Sequence, residues 1–283
     1  MKRSVKTAES NGRQKLGRYE VIKVLGRGAM ATVYLGQDPT SPNVHLGHAV
    51  QLQTMARFQQ LGHRVIIVIG DFTASIGDPS GRSKTRPPLT REEIEAHAAT
   101  YAEQAFKVLD RSKTDIRYNS EWLRALNFED VVRLSASMTL AQMLVREDFR
   151  KRHEDGTPVH LHEFLYPLAQ GYDACHLEAD VQVGGTDQLF NLMAGRDVMK
   201  HRGLKPQVCL TMPILPGTDG ELKMSKSYGN DIGLTLEPAD MFGKVMSVPD
   251  KAMPTFFRLA SGLPPAEAEA RIAGLANGSL HPR

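Results

Sequence analysis

Residues 64–70, with the sequence RVIIVIG, form an uninterrupted apolar run that constrains the fold more than any other feature of the chain. Apolar runs of this length are typical of strands that are buried on both faces of a parallel sheet. The segment before it, 43–62, has helical spacing and ends at Gly62, a suitable helix C-cap. A strand pattern at 31–36 precedes that helix. Strand, helix and strand in this order predict a βαβ unit and an α/β fold.

The remainder of the chain continues this alternation. Thr90 followed by Glu93 predicts a capping box that opens a helix. The segments ADVQVGG and PQVCLTMPIL predict two further strands, of which the second is expected to be buried, and the chain from Pro238 onward is helical. Helical patterns also occupy residues 90–109, 121–149, 161–178 and 187–203. Together these elements predict a doubly wound parallel sheet with helices on both faces and ligands at the carboxyl ends of its strands.

The composition is that of a folded protein with a mildly basic surface. The 283 residues carry a net charge of +3, which is compatible with a polyanionic partner and equally with an ordinary surface. The two cysteines, Cys175 and Cys209, are far apart and belong to no zinc-binding or disulfide pattern. No apolar run approaches the roughly 20 residues of a membrane-spanning helix, and the polar amino terminus lacks a secretion signal. We expect a cytoplasmic protein without membrane attachment.

Residues 1–34 differ in character from the rest. Residues 1–16 are charged and aperiodic, which predicts a loose arm. Alternation at 19–25 and again at 31–36 predicts a hairpin. The sequence GRGAMATV at 26–33 resembles the glycine-rich loop at the start of a bacterial serine/threonine protein kinase. The strand lysine and the HRD and DFG motifs that a kinase needs do not follow, which disfavours kinase activity.

The sequence HLGH at 45–48 lies at the predicted turn from strand to helix. The first amides of a helix carry partial positive charge, so an anion docks there readily. His45 and His48 project from one side of the first turn and can donate hydrogen bonds to phosphate oxygens. Gly47 between them lets a nucleotide approach the backbone closely. Two surface histidines at a helix end are the alternative interpretation.

A second cluster, KMSKS at 223–227, follows the last predicted strand. It places Lys223 and Lys226 on a loop, where their ammonium groups can close over a leaving pyrophosphate. A solvated loop is the alternative for this motif taken alone. Because HLGH precedes it on a parallel α/β framework, the two motifs together indicate a site for ATP chemistry.

This pair of motifs resembles the class I aminoacyl-tRNA synthetases. From about Leu35 onward the chain resembles a bacterial tyrosyl-tRNA synthetase in the blocks DPTSPNVHLGHAV, GDFTASIGDPSGRSKTRPPLT, HEFLYPLAQGYD, GGTDQLFNLMAGRD, TMPIL and KMSKSYGN. The resemblance implies a Rossmann-like catalytic domain at 35–235 with a helical insertion near 115–178. It further implies that residues 236–283 are the truncated start of a helical anticodon-binding region.

The resemblance also assigns three sets of site residues. The catalytic groups would be Thr40, His45, His48, Lys223 and Lys226. The tyrosine substrate would contact Tyr34, Asp78, Tyr166, Gln170, Asp173 and Gln188. The nucleotide would contact Gly36, Asp38, Gly47, Gly185, Asp187 and Lys226. No residue is assigned to a metal ion.

Within the tyrosine set, Asp78, Tyr166 and Gln170 would hold the α-ammonium group of the substrate. The spacing of Tyr166, Gln170 and Asp173 allows all three to share one helical face. The substrate phenol would meet Tyr34 and Asp173. Such a site rejects phenylalanine because its polar groups would stay unpaired, an effect for which tyrosyl-tRNA synthetase is itself the standard worked example.

The implied reaction needs no protein nucleophile. The tyrosine carboxylate would attack the α-phosphate of ATP in line, with Asp187 on the ribose hydroxyls and Gln188 on the amino-acid carboxyl. Mg²⁺ would enter with ATP, held mostly by its phosphates, and no bound prosthetic group is expected. A second step would transfer the tyrosyl group to tRNA(Tyr). Arg82, Lys84 and Arg86 would steer phosphates or RNA, or belong to a solvated loop.

Two departures from the family bear on activity. The kinase-like segment replaces the family's own first strand, which is expected to displace the pocket wall at 34–37. The missing RNA-binding module is expected to weaken tRNA charging more than tyrosine activation. A homodimer that uses the helical region 115–178 is expected. The alternatives are a folded but inactive truncated or chimeric synthetase, a tryptophan-specific relative or another HxGH nucleotidyl transferase, and last a pseudokinase.

Overall fold

The computed structural model describes residues 15–16, 19–20, 30–39, 42–78 and 90–281. The chain divides into two compact units, Met1–Met30 and Ala31–Arg283. In the first unit, strands β1 (Lys15–Leu16) and β2 (Tyr19–Glu20) pair in antiparallel orientation. Several predicted features lie outside the described residues: the loose arm up to residue 14, the kinase-like glycines Gly26 and Gly28, Thr40, and the basic residues Arg82, Lys84 and Arg86.

The second unit is built on a five-stranded parallel sheet with the order β5-β4-β3-β6-β7. Its strands are β3 (Thr32–Gln37), β4 (Arg64–Ile69), β5 (Thr114–Tyr118), β6 (Val181–Gly185) and β7 (Val208–Met212). The chain winds outward from β3 through β4 to β5, then returns to the other side of β3 for β6 and β7. This order confirms the doubly wound prediction and puts the switch point between β3 and β6, where such sheets bind ligands.

Helices cover both faces of this sheet and continue beyond it. The α-helices are α1 (Leu46–Gln60), α2 (Thr73–Ile76), α3 (Arg91–Ala105), α4 (Ser120–Leu123), α5 (Phe128–Ser135), α6 (Leu140–Met143), α7 (Glu147–Glu154), α8 (Leu161–His176), α9 (Leu189–His201), α10 (Pro238–Met246), α11 (Met253–Leu259) and α12 (Pro265–Ala276). Short 3-10 helices lie at Arg111–Lys113, Thr186–Gln188, Lys226–Tyr228 and Asp250–Ala252. None of the helices described is long and apolar enough to cross a membrane.

The side chains of β3 and β4 alternate between two apolar cores, one on each face of the sheet. Val33 and Leu35 face a core formed with helices α1 and α3. Tyr34 and Ile66 face the opposite core, which α8 and α9 complete. Within β4 every residue after Arg64 is buried. The uninterrupted apolar run therefore has the two-sided burial that its sequence predicts.

Local signals located several helix ends correctly. Gly62 and Gly203 follow α1 and α9 with φ of 84° and 74°, a left-handed conformation that glycine adopts without steric cost. Thr90 caps α3, because its hydroxyl accepts from the Glu93 amide at 3.2 Å while the Glu93 carboxylate accepts from the Thr90 amide at 2.8 Å. This reciprocal pair is the predicted capping box.

The predicted hairpin between 19–25 and 31–36 is wrong. Strand β3 pairs along one edge with β4 and along the other with β6, both in parallel orientation, so it has no free edge for a hairpin partner. Residues 32–34 consequently belong to the parallel sheet and not to a separate amino-terminal segment. The alternation at 31–36 was correctly read as a strand, but alternation alone does not say which strand pairs with it.

Three further boundaries differ from the sequence expectation. The single helical pattern at 121–149 is divided into α4, α5, α6 and the start of α7, because Asn127 and Thr139 cap new helices with capping boxes. The helical region expected from about 115 begins only after β5, which adds a strand at the edge of the sheet. Strand β7 forms the opposite edge, and Val208 is 52% exposed, so the strand is not fully buried.

Candidate active site

Polar residues follow four of the parallel strands at their carboxyl ends. Asp38 follows β3, Asp71 follows the glycine after β4, Asn119 follows β5, and Asp187 lies two residues after β6. Parallel strands bring their carboxyl ends to one edge of a sheet, so these groups lie along the same rim. The rim is therefore the place where the sheet can hold a charged ligand.

The two histidines of HLGH lie at this rim, where α1 begins. Their rings are 3.9 Å apart between centroids, and the Nδ1 atom of His48 accepts from the His45 amide at 3.2 Å. Tyr101 of α3 meets His48 edge to face at 6.2 Å. The prediction that both imidazoles project from one side of the first helical turn is thus confirmed.

Burial keeps both imidazoles neutral near neutral pH. It lowers the pKa of His45 to about 4, with Lys223 contributing and Asp231 opposing. It also lowers the pKa of His48 well below its usual value, with His45 and Lys223 adding to the effect. A neutral imidazole keeps one N–H group, which can donate a hydrogen bond to a phosphate oxygen.

The loop that carries Lys223 and Lys226, called the lysine loop below, contacts the turn at 45–48 directly. A Cβ atom on Gly47 would lie 3.0 Å from the His45 ring and 3.6 Å from Met224, so glycine leaves just enough room between the two motifs. Backbone bonds join the segment after the loop to the same turn, with the Leu46 amide donating to the Ile232 carbonyl at 2.9 Å. The KMSKS and HLGH motifs therefore form one wall of the site.

Lys223 forms an ion pair with Asp187 across this site. It is also close enough to influence the pKa of both histidines. Lys226 begins the short 3-10 helix of the loop and is exposed. The structure thus brings together the two histidines, Lys223 and Asp187, and it holds Lys226 on the same loop with its side chain in solvent.

Below the rim, Tyr34 and Asp173 lie on facing elements, β3 and α8. The Tyr34 hydroxyl is fully buried and makes no hydrogen bond of normal geometry with the described residues. Burial raises the Tyr34 pKa, the nearby Asp173 raises it further, and Gln207 opposes both. Asp173 accepts from the Trp122 indole at 2.7 Å and from Asn119 at 3.3 Å.

Burial raises the pKa of Asp173 to about 8, although the bonds from Trp122 and Asn119 oppose this shift. The carboxyl group is therefore held at a fixed place by two donors, beside a buried phenol that lies near the Gln207 side chain without a hydrogen bond of normal geometry. An aryl hydroxyl inserted here would find both a donor and an acceptor.

A second set of polar side chains surrounds the hydroxyl of Tyr166, which lies on α8. This hydroxyl donates to Asp38 at 2.8 Å, and the Thr73 hydroxyl donates to the other oxygen of the same carboxylate at 2.7 Å. Asp78 is close enough to raise the Tyr166 pKa. Asp78 and Tyr166 thus lie close together, and the direct partner of Tyr166 is Asp38. Gln170 lies one turn further along α8 and is buried.

Asp78 belongs to a closed network of side chains. It accepts from Gln188 at 2.9 Å and from Arg146 at 3.4 Å. Asn191 donates to the Gln188 amide oxygen at 2.8 Å and accepts from Arg146 at 3.0 Å. Arg146 is only 6% exposed, so the network is shielded from water. Its hydrogen bonds fix the positions of Asp78 and Gln188 relative to each other.

Two of the predicted nucleotide glycines differ in what surrounds them. A Cβ on Gly36 would meet nothing within 4 Å, so the backbone of β3 is open to a ligand there. A Cβ on Gly185 would lie 2.4 Å from the Asp187 carboxylate and 3.2 Å from Gln51. Glycine at 185 therefore lets Asp187 turn back over the end of β6.

Sequence reasoning missed the residues that orient the predicted site. They are Thr73, Asn119, Trp122, Arg146 and Asn191. A signal existed for Asn119, because it follows a strand directly, but that strand was taken for part of a helical region. Arg146 pairs locally with Asp148, but that pair gives no sign of the site, because its partners there, Asn191 and Asp78, lie 45 and 68 positions away in the chain.

A sequence profile of the tRNA synthetases of class I (W and Y) matches residues 27–278. This chain belongs to that family. The tyrosine–tRNA ligase of Moorella thermoacetica is 54% identical over 261 residues, which make up 92% of this chain and 63% of that protein. The tyrosine–tRNA ligase of Thermotoga maritima is 48% identical over 279 residues, or 99% of this chain and 70% of that protein.

A crystal structure of the tyrosyl-tRNA synthetase from Archaeoglobus fulgidus, complexed with L-tyrosine, has the same fold. Its TM-score is 0.73 at 25% identity, over 89% of this chain and 83% of that one. The chain thus spans just under two thirds of the Moorella relative's length. The synthetase profile begins at residue 27, ahead of the boundary that the sequence suggested at 35.

Proposed function

We propose that this chain activates tyrosine with ATP to form tyrosyl-adenylate and pyrophosphate, and then transfers the tyrosyl group to tRNA(Tyr). The observation that carries the proposal is the convergence of His45, His48, Lys223 and Asp187 at the rim, beside the buried pair Tyr34 and Asp173. The histidines and Lys223 can stabilise the triphosphate, and Asp187 can bind the ribose. Tyr34 and Asp173 can recognise a phenol.

In the first step the tyrosine carboxylate attacks the α-phosphate and pyrophosphate leaves. The protein positions the two substrates and stabilises the charge that develops on the leaving group. His45 and His48 donate to the phosphates as neutral imidazoles, and Lys223 and Lys226 approach the pyrophosphate from the loop. Thr40 completes this set. Mg²⁺ enters as part of the ATP substrate and is held mostly by the phosphates.

Tyrosine is held at both ends in this proposal. Its phenol meets Tyr34 and Asp173 at the base of the pocket. Asp78, Tyr166 and Gln170 hold its α-ammonium group, and the position of Asp38 on the Tyr166 hydroxyl supports adding this carboxylate to that set. A cation surrounded by carboxylates and neutral acceptors forms strong charge-assisted hydrogen bonds.

On the nucleotide side, Asp187 receives the ribose hydroxyls and Gln188 the amino-acid carboxyl. The open backbone at Gly36 supports close approach of the nucleotide there. Gly47 and Gly185 serve the same purpose at the other walls. Lys223 forms an ion pair with Asp187, and ATP would separate the two because it offers phosphate to the lysine and hydroxyl groups to the carboxylate.

The domain organisation and setting follow the same proposal. The catalytic domain ends near residue 235 and includes all of β3, so it begins before the boundary expected at 35, and the helices at 236–283 begin the anticodon-binding region. We place the enzyme in the cytoplasm, where its tRNA partner is. The kinase-like character of residues 26–33 remains a prediction, and the proposed function makes no use of it.

We further propose that the enzyme is a homodimer. Five large apolar side chains on the helical region between β5 and β6 are exposed to solvent by half or more: Phe128, Val132, Leu140, Val145 and Leu161. Exposed apolar groups of this size, concentrated in one region of the chain, are typical of a protein interface.

Tyrosine-dependent exchange between pyrophosphate and ATP tests the first step. We expect exchange with tyrosine, and much less with phenylalanine or tryptophan. Stabilisation against heat by tyrosine tests binding separately, because a ligand of the native state raises its stability. A folded sample that is stabilised by tyrosine but performs no exchange would favour an inactive synthetase, and exchange with tryptophan alone would favour the tryptophan-specific alternative.

A further inference from the structure

One buried side chain, that of Asn230, forms hydrogen bonds to several parts of the lysine loop. Asn230 is 5% exposed. Its amide oxygen accepts from the Ser225 amide at 2.8 Å, and its Nδ2 atom donates to the Lys223 carbonyl at 3.3 Å. These two backbone groups lie on either side of Met224. Asn230 therefore holds the backbone from which Lys223 projects into the site.

The same Nδ2 atom also donates to Asp219, on the opposite arm of the loop. Asp219 in turn accepts from the amides of Glu221 and Leu222 at 2.8 and 2.6 Å. The Asp219 carboxylate thus fixes the turn at residues 219–222, and Asn230 links that turn to the segment that carries Lys223. Hydrogen bonds to an ionised carboxylate are stronger than those between neutral groups.

Two neighbours leave Asn230 little freedom to move. A Cβ atom on Gly217 would lie 2.1 Å from the Asn230 Cγ atom, so only glycine permits the observed position. The backbone is joined at the same point, because the Thr218 amide donates to the Asn230 carbonyl at 2.9 Å. Met224, between the two braced groups, is 1% exposed and anchors the loop in an apolar cluster with Leu215.

We propose that Asn230, through its bond to Asp219, is a positioning residue that sets the place of Lys223 and Lys226 for catalysis. The inference rests on the proposed function, in which these lysines stabilise the leaving pyrophosphate. Asn230 itself touches no substrate. Its loss is expected to affect the step in which charge develops on pyrophosphate and to leave the tyrosine pocket, at Tyr34 and Asp173, unchanged.

The main test is Asn230→Asp. This change keeps the acceptor for the Ser225 amide, removes the donor both to Asp219 and to the Lys223 carbonyl, and sets two carboxylates against each other. We expect the kcat of pyrophosphate exchange to fall about tenfold to a hundredfold, because small displacements of a catalytic group are costly. The KM for tyrosine should stay unchanged. Gly217→Ala, which displaces Asn230 by steric contact alone, should have the same effect.

A reciprocal double variant, Asp219→Asn with Asn230→Asp, restores the bond with its donor and acceptor exchanged. The bond from residue 230 to the Lys223 carbonyl is not restored, so we expect kcat to rise about threefold to tenfold above that of Asn230→Asp and to stay below the wild type. The matched control is Glu221→Gln. Glu221 lies on the same loop as Lys223, and the change removes its exposed ion pair with Lys251, so kcat should stay unchanged.

Limited digestion with trypsin gives a readout that does not require activity. Cleavage after Lys223 and Lys226 should be faster in Asn230→Asp and Gly217→Ala than in the wild type and the control, and the double variant should restore protection. The inference is wrong if cleavage and kcat match the control, if tyrosine KM rises in parallel with the loss of kcat, or if the double variant recovers neither. Absence of exchange in a wild type whose loop shows the expected cleavage pattern would instead refute the proposed function.

Discussion

The Tyr34 hydroxyl is buried without a hydrogen bond of normal geometry, and the Gln207 side chain lies near it. A buried hydroxyl without a partner loses its hydrogen bonds to water and gains none, which costs about 1–3 kcal/mol. Asp173 beside it is held by Trp122 and Asn119. The Tyr34 hydroxyl therefore adds little to the stability of the protein, which supports the proposal that it binds the phenol of the substrate.

Tyr34→Phe removes the unpaired hydroxyl without changing the shape of the core. We expect the free energy of unfolding to stay equal or to rise by about 1 kcal/mol, because no internal bond is lost. The KM for tyrosine should rise about tenfold, since the substrate phenol loses one partner. Urea denaturation and pyrophosphate exchange measure the two effects. A clear loss of stability would show that the hydroxyl is satisfied inside the protein.

His45→Gln tests the pKa that burial imposes on the site. The folded pKa of about 4 is below the ordinary value of 6.5, so the neutral imidazole contributes stability above 6.5 that is lost as the pH falls through about 4. We expect the stability of the wild type relative to His45→Gln to fall by about 2–3 kcal/mol between these two limits. Urea denaturation of both proteins across that range measures it, and a constant difference would contradict it.

At the scale of elements, α8 carries Tyr166, Gln170 and Asp173 of the proposed tyrosine pocket and is tied to α7 by a buried ion pair. Arg152 and Glu163 are 7% and 0% exposed, and the guanidinium meets both carboxylate oxygens, at 2.6 and 3.0 Å. Glu163 also accepts from the His160 amide at 2.8 Å and so caps the start of α8. The pair fixes where α8 begins and hence where Tyr166 faces the sheet.

Glu163→Gln keeps this cap but leaves the Arg152 charge buried without a counter-ion. We expect a loss of about 3 kcal/mol in the free energy of unfolding, measured by urea denaturation. The double variant Arg152→Met with Glu163→Leu should be less destabilised than the single variant, because no buried charge remains. Equal losses in the single and double variants would argue that the cap, and not the charge, is what matters.

Element boundaries show where sequence patterns stop being informative. Gly62 and the Thr90 capping box were predicted correctly, because each depends on atoms within a few residues of one another. The pattern at 121–149 was read as one helix although it contains two caps, at Asn127 and Thr139. Helical spacing persisted across the breaks, so the apolar pattern concealed them. The two caps can be recognised in the sequence, but the apolar spacing was given more weight than the caps.

At the scale of the whole molecule, the exposed apolar residues of the region between β5 and β6 predict self-association. Phe128 and Leu161 are each 83% exposed. We expect Phe128→Glu and Leu161→Glu to shift a dimer to monomer in sedimentation experiments, since a charge buried in an apolar interface is costly. Phe242→Glu, at a residue 66% exposed on α10, is the matched control. A wild type that sediments as a monomer would contradict the prediction.

The sequence by itself determined the type of most elements, apart from β5, as well as the parallel sheet and the two motifs to which the proposal assigns the chemistry. These depend on periodicity and on spacing over a few residues, which physical chemistry relates directly to local structure. The predicted pairing of 31–36 failed for the complementary reason. A strand has two edges, and alternation says nothing about which partners occupy them.

Only the tertiary structure decided which predicted residues meet and what holds them in place. Tyr166 bonds to Asp38, and Arg146 closes a network around Asp78, because the winding order of the sheet brings distant strand ends to one rim. The neutral state of His45 and the raised pKa of Asp173 arise from burial, which depends on everything packed around them. Such properties belong to distances through space, and a linear pattern of residues does not contain them.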